Sequence, residues 1–539
     1  MKSESTKGIW KVFLGLCLMV TALMILWGTQ KKGFFVDEEW SYGLANSYYR
    51  PHIYWNGLED QWEPGSYFEE YIEVDEGEQF RYDSVVYNLK NDAHPPLFFM
   101  VLHTVSSFFP ETFSKWYALA PNILYCLVAM FLVLRISQKL FRSNRMALLT
   151  AGLWGFALGT ANMVVYLRMY MMSAMFALLT LNFHYNLLIR KKYDVKHWFL
   201  LILCSFAGYM THYYFFIYAF FLSAFFVFGL LAQKKVKELI WYCSSMMASL
   251  LVVLVLAPWA FENLFGNGYS QQAAGGLDMG IVNFLWYLWE YAWFFAGDFF
   301  GNHLIVPVLM GAVGVAAGIF CFVKKGVKLF TENKEMTMMV ILLFVPAVFY
   351  FIIAAVCSPF MSSRYIYAVY PMLFLMVIWL GYAGLKGFGV TEKKVLAGVG
   401  ALTMVCTLVS YSDAGVDYLY QRQEQTYEAM EPYYGSDCAF LSYNYYRITE
   451  KCDELSHMNR VWTSQPTDEK IREMAETVNP ELDQMIIYVE DMWPEANGQE
   501  KMDNILKDVI KYTDFNNYER IPDYVSNYGY GLVAYRVYK

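Results

Sequence analysis

Residues 33–43 read GFFVDEEWSYG. They follow directly on the first long apolar run of the chain, at about 9–28. Three consecutive carboxylates, Asp37, Glu38 and Glu39, therefore stand where a membrane helix would leave the bilayer. A carboxylate just outside a span is usually solvated. A cluster of ionisable groups at a membrane boundary is costly to bury, however, and points to function. The topology of the remaining chain decides how much weight the second reading carries.

Of the 539 residues, 57% are hydrophobic and only 17% are charged. A soluble chain would carry about 25% charged residues. Aromatics reach 19%, as expected where Tyr and Trp collect at membrane interfaces. Apolar runs long enough to cross a bilayer lie at about 9–28, 116–134, 146–165, 169–189, 197–211, 213–232, 239–258, 303–323, 336–356, 364–385 and 394–411. Two further apolar segments, 94–110 and 281–300, are shorter or oddly bounded. The nine cysteines show no CxxC or Cys/His spacing, so neither a zinc site nor a disulfide framework is expected. Cys438 and Cys452 could form a disulfide or remain two free thiols.

Charge sets the orientation. The basic clusters are RISQKLFRSNR (135–145), IRKKYDVKH (189–197), QKKVKE (233–238), KKGVK (324–328) and KGFGVTEKK (386–394). The positive-inside rule places all five in the cytoplasm. That holds only if 94–110 and 281–300 do not cross, so both are expected as outer-face interfacial or re-entrant helices. Eleven spans result, with the N-terminus cytoplasmic and the C-terminal domain extracytoplasmic in a multi-pass cell-membrane protein. Lys31 and Lys32 go against the rule locally.

The expected architecture is mostly α. A transmembrane domain (1–411) carries an outer loop at 29–115, and a small soluble α/β domain occupies 412–539. The tail holds 24 Asp/Glu against 12 Lys/Arg, and 29–93 holds 14 against 5. CAFLSYN, RVWTS, QMIIYVED and GLVAYRVY read as strands, while TDEKIREMAETV and EKMDNILKDVIKYTDF read as amphipathic helices. Thr467 suits a helix N-cap. There is no GxGxxG and no P-loop, and nucleic acid is not an expected partner.

Further polar residues gather on the outer face. His94 opens NDAHPPLFFMVLHTV, where Pro95 or Pro96 suits a first helical turn. Arg168, in YLRMY, ends a span on the side where an arginine is disfavoured. It needs an anionic partner or must snorkel to headgroups. Arg364 and Tyr365, in SSRYIYAVYP, open a late span from the same side, and His212 lies in the outer turn THYY. Carboxylates and cations at one depth suit a lipid-linked phosphate substrate. Arginine forks onto phosphate oxygens, and a carboxylate can take the proton of an attacking hydroxyl.

In these stretches the chain resembles the integral-membrane glycosyltransferases of the GT-C fold. It is most similar to the dolichyl-phosphate-mannose protein mannosyltransferase-like family, glycosyltransferase family 39, and its bacterial relatives. The resemblance covers about 9–411 and rests on the order and topology of short motifs. It implies a polyprenyl-phosphate-linked sugar donor, the lipid bilayer as setting, an acceptor on the outer face, and inversion at the anomeric carbon. Asp37 matches the family's acidic base or metal-linked residue, with Glu38 beside it. Arg364 matches a late arginine that contacts the lipid phosphate, and His94 lies in the matching Pro-Pro motif. A divalent metal on Asp37 or Glu38 is compatible with this pattern, although no ligand spacing demands one. The acidic insertion at 52–92 and the tail depart from the family and leave the acceptor open.

The competing function class is a transporter or flippase for a lipid-linked or envelope substrate. Transporters place charges and broken helices near the bilayer midplane, often with inverted repeats. Here the charges sit at the outer boundary and no repeat is visible.

Overall fold

The computed structural model describes residues 6–55, 57–266, 280–325, 328, 333–444, 446–490, 498–524 and 531–539. Parts of the expected 259–302 loop and of the KKGVK cluster lie outside the described residues. The chain forms two compact units. The first comprises 1–27, 93–98 and 118–417; the second comprises 28–92, 99–117 and 418–539. The outer loop expected at 29–115 falls in the second unit, apart from 93–98.

In the first unit, all eleven expected span positions are helical. Among the described residues eight helices, including Thr6–Gln30, Trp116–Phe141, Lys334–Cys357 and Glu392–Asp413, are long and apolar enough to cross a membrane. A ninth position is a broken pair, Asn144–Phe156 and Leu158–Val165, bent by 51°. The bend falls at Ala157, whose backbone is extended. The other two are Tyr170–Leu188, which carries Asn182, His184 and Asn186, and the 15-residue Val195–Tyr209. The chain is thus a multi-pass membrane protein. Exposed Ile305, Val308, Leu309, Val315 and Ile319 on one helix mark an apolar surface suited to lipid.

Small residues let these helices approach. A Cβ on Gly384 would lie 2.7 Å from the Val313 carbonyl oxygen, so the helices Ile305–Lys325 and Tyr370–Gly387 pack backbone to backbone there. The segment 94–110 contains a helix of only 10 residues, Leu97–Ser106, about 15 Å long and too short to span. It begins after Pro95 and Pro96, not on them.

The second unit is an α/β domain with six strands: β1 (Trp62–Pro64), β2 (Asp437–Leu441), β3 (Arg460–Ser464), β4 (Gln484–Glu490), β5 (Asn517–Arg520) and β6 (Leu532–Tyr538), in sheet order β1-β3-β2-β4-β6-β5. β2 runs parallel to β3 and β4, and the other pairings are antiparallel. Ile471 and Met474 of helix Asp468–Ala475 join Leu506 and Val509 of Gly498–Tyr512 in a core with Leu441, Ile487 and Val537. Thr467 Oγ1 accepts the Lys470 N–H at 3.4 Å and caps the first of these helices.

β1 comes from the acidic insertion. Trp62 pairs with Trp462, their rings 5.7 Å apart, and its indole donates to Thr477. Pro64 ends this short edge strand, where the missing amide costs no ladder bond. Gly65 follows. A Cβ there would sit 2.2 Å from the Met458 carbonyl oxygen, so only glycine fits. Cys438 and Cys452 are both buried free thiols, as are all nine cysteines in state, if not in burial.

Candidate functional site

In the first unit, the YLRMY turn is held from behind. Asn122, buried in helix Trp116–Phe141, donates to the Val164 and Tyr166 carbonyls at 3.1 and 3.0 Å. This satisfies acceptors at the end of the broken helix pair. The turn presents Arg168, which is buried. Arg168 Nη2 donates to His94 Nε2 at 2.9 Å. The backbone next to His94 is fixed as well, since the Leu97 N–H reaches the Met210 carbonyl at 2.9 Å.

Arg364 begins the 3-10 helix Ser363–Val369, which leads into the proline-started helix Tyr370–Gly387. The Tyr350 hydroxyl pins this turn through the Tyr365 carbonyl at 2.8 Å. Arg364 Nη1 donates to the Tyr166 hydroxyl at 2.8 Å, and its guanidinium lies 5.3 Å from the Tyr365 ring centroid. Tyr166 stacks on Tyr170 at 5.5 Å, and Tyr170 lies 5.4 Å from His212.

His212 completes the group. Burial above all, then the charges of His94, Arg168 and Arg364, push it down to about 3. It is therefore neutral at physiological pH. Its Nδ1 accepts the Tyr214 N–H at 3.1 Å, which leaves the proton on Nε2 as a donor. Two guanidiniums, two imidazoles and a wall of tyrosines thus form one donor-rich cluster. Such a cluster suits an anion with several oxygens, and a phosphate fits that description. His94, Arg168, His212, Arg364 and Tyr365, all named from sequence, come together here. Tyr166 and Tyr170 were not singled out. They flank Arg168 in YLRMY, and that was the available signal.

A second buried polar group in this unit escaped the sequence altogether. Asp298 of helix Ile281–Phe300 accepts from Asn162 at 2.9 Å and from Tyr370 at 2.7 Å. Asn162 also accepts the Asp417 N–H at 3.0 Å. These bonds tie three helices and the chain after Asp413 together.

In the second unit, GFFVDEEWSYG folds as the start of helix Val36–Asn46, with Asp37, Glu38 and Glu39 in its first turn. The positive end of the helix dipole favours carboxylates there. Their environments diverge. Glu38 accepts the Phe35 N–H at 2.7 Å and forms an ion pair with Lys31 at 2.8 Å, both side chains fully buried. Lys31 also donates to the Tyr418 carbonyl at 2.5 Å, and Lys32 pairs with Glu424. The two lysines that went against the positive-inside rule are therefore matched by carboxylates. Glu38 is engaged as a cap and counter-ion.

Glu39, expected to be solvated, is buried. Burial, reinforced by the charges of Asp453 and Glu450, drives its carboxyl well above the usual range. Asp453, which accepts from Tyr427 at 2.8 Å, is raised by the same burial. Asp37 is half-buried, and its carbonyl accepts from Ser41. Among the described residues no set of three His, Cys, Asp or Glu side chains is close enough to hold a metal. Both Glu38 oxygens are already bonded to Lys31. Among the described residues, Glu38 is therefore held as a partner of Lys31 and not as part of a three-ligand set.

The fold and the cationic cluster define a class: a polytopic membrane protein of the GT-C fold with a C-terminal α/β domain. Among solved structures, the chain is similar to ArnT from Cupriavidus metallidurans in the apo state. Identity is 12%, coverage is 99% of this chain and 98% of that one, and the TM-score is 0.52. It also matches the oligosaccharyltransferase AglB from Archaeoglobus fulgidus, solved with an inhibitory peptide and a dolichol-phosphate. There identity is 11%, coverage is 96% and 73%, and the TM-score is 0.46. No family model and no curated protein matches the chain.

Proposed function

We propose that the protein is a membrane glycosyltransferase that moves a sugar from a polyprenyl-phosphate donor to an acceptor hydroxyl on the outer face, with inversion at the anomeric carbon. The observation that carries this reading is the cluster of His94, Arg168, His212 and Arg364 within a GT-C membrane fold. The likeness to ArnT supports the GT-C fold in which this cluster sits. An apolar groove of about 730 Å³, lined by Leu16, Leu23, Trp27, Leu153, Leu408 and Tyr411, supports a substrate with a long hydrocarbon tail.

The chemistry follows from these groups. The anomeric carbon of the donor is already activated, because phosphate is a good leaving group. As the C–O bond to phosphate breaks, negative charge builds on the departing oxygens. Arg364 and Arg168 stabilise it through fixed guanidinium donors. His212 adds a neutral N–H donor, and Arg168 holds His94 in one orientation. Asp37 takes the proton from the acceptor hydroxyl as that oxygen attacks the anomeric carbon. Each step uses only side chains of this protein, and none is routed through a metal.

The decisive experiment incubates the purified full-length protein, in lipid, with a panel of polyprenyl-phosphate sugars and follows release of polyprenyl phosphate. Consumption of one donor by the wild type and loss of it in Arg364→Ala would support the reading. Movement of an intact donor across the bilayer, with no cleavage, would replace it with a flippase.

A further inference from the structure

The membrane unit also holds a polar cavity, at the helix ends that carry the basic loops. Its volume is about 570 Å³. Arg135, Lys139, Arg142 and Arg190 line it, against the single acid Glu335 among the described lining residues. Arg135 donates to Gln138 at 3.1 Å and Lys139 to Asn182 at 3.1 Å, both neutral partners. Lys139 also lies 3.9 Å from the Tyr185 ring centroid. No ion pair engages any of the four bases among the described residues.

Positive charge at this face serves topology, but topology needs no cavity and no convergence of side chains from separate helices. Here the bases come from helix Trp116–Phe141, from the turn after it and from the turn that follows Tyr170–Leu188. They converge on one concave space. Like charges brought this close repel unless an anion joins them.

The cavity does not stop at its polar wall. Trp10 and Met336 line it as well. Ile9, Ile189 and Met339 extend this apolar side of the lining. A basic chamber with one apolar side fits an amphipathic anion better than a small soluble one. Basic pockets between membrane helices bind anionic headgroups by this chemistry. We propose that this cavity is a binding site for an anionic phospholipid, with the phosphate among Arg135, Lys139, Arg142 and Arg190 and the apolar part of the lipid against Trp10 and Met336. The site is distinct from the cationic cluster around Arg168 and Arg364 and does not depend on the catalytic proposal.

The test uses the full-length protein in nanodiscs of phosphatidylcholine with or without phosphatidylglycerol. Bound lipid is counted by native mass spectrometry after extraction into detergent, and thermal unfolding is followed in parallel. Wild type should retain one phosphatidylglycerol and melt higher in its presence. The double variant Arg142→Gln/Arg190→Gln should bind it about thirtyfold more weakly yet melt as wild type does in phosphatidylcholine alone. Arg142→Lys/Arg190→Lys, which keeps both charges, should retain it and serves as the reference if the glutamine variant fails to fold. Equal retention by the glutamine variant, loss in a folded lysine variant, or equal stabilisation by inorganic phosphate would overturn the proposal.

Discussion

Arg168 and His94 are locked together by a single hydrogen bond of 2.9 Å between residues 74 positions apart. Guanidinium can only donate, so the His94 ring is held with Nε2 as acceptor. A bond of this kind orients both partners before any substrate arrives. Arg168→Lys cannot reproduce the planar fork. It is expected to lower kcat/KM for the polyprenyl-phosphate donor by about tenfold or more, one charged hydrogen bond being worth about 1.5–3 kcal/mol. Steady-state kinetics in proteoliposomes checks this, and unchanged kinetics would remove Arg168 from the site.

Arg364 has the larger expected effect, because its guanidinium lies among Tyr166, Tyr365 and the charges around His212. Arg364→Ala should cut turnover about 10²–10³-fold, as loss of a fixed charge-stabilising donor does elsewhere. Folding should survive. Single-turnover sugar release, alongside size-exclusion profiles of both proteins, separates the two effects.

Asp37 is the half-buried carboxylate of its trio. Asp37→Asn keeps its shape and position in the first helical turn but removes the base. Turnover should fall about 10²–10⁴-fold, with donor binding little changed. A wild-type rate at every pH would mean that another group takes the proton.

The Lys31–Glu38 pair tests structure, not chemistry. Both side chains are fully buried, so Lys31→Met leaves an uncompensated carboxylate and should cost about 3–5 kcal/mol. The double variant Lys31→Met/Glu38→Leu should recover much of that loss. Thermal unfolding of the three proteins gives the coupling directly.

Glu39 makes stability depend on pH with a defined sign. Its ordinary value is 4.5, and in the folded unit burial raises it well above that. Glu73 behaves alike, pushed to about 7 by burial and by Glu69 and Asp75. Above 4.5 the unfolded chain has released protons that the folded unit still holds. Stability therefore falls as pH rises from 4.5 through these raised values. Glu39→Gln should leave the melting temperature unchanged near pH 4.5 and raise it by about 2 °C or more at pH 8. A pH-independent difference would show that Glu39 does not titrate in this window.

Much of the molecule was legible in the sequence because the governing signals are local. Apolar length marks a span, basic residues mark one side of it, and an i, i+3, i+4 pattern marks the tail helices. Thr467 could be read as a cap from its neighbours alone. Arg168 and Arg364 could be named because a cation at a membrane boundary is anomalous wherever it occurs, and His94 and His212 because an ionisable side chain there is costly to bury. The three-residue β1 was not legible, since a strand so short gains its stability from Trp462 on β3, about 400 positions away.

The same distinction runs through GFFVDEEWSYG. The sequence by itself determined that three carboxylates follow the first span and that a helix starting there would welcome them. Only the tertiary structure decided their different fates. Glu38 meets Lys31 and Glu39 is buried beside Asp453, while Asp37 is left half-buried. Helix dipoles and apolar runs depend on neighbours in the chain, whereas burial and counter-ions depend on residues that folding brings from elsewhere.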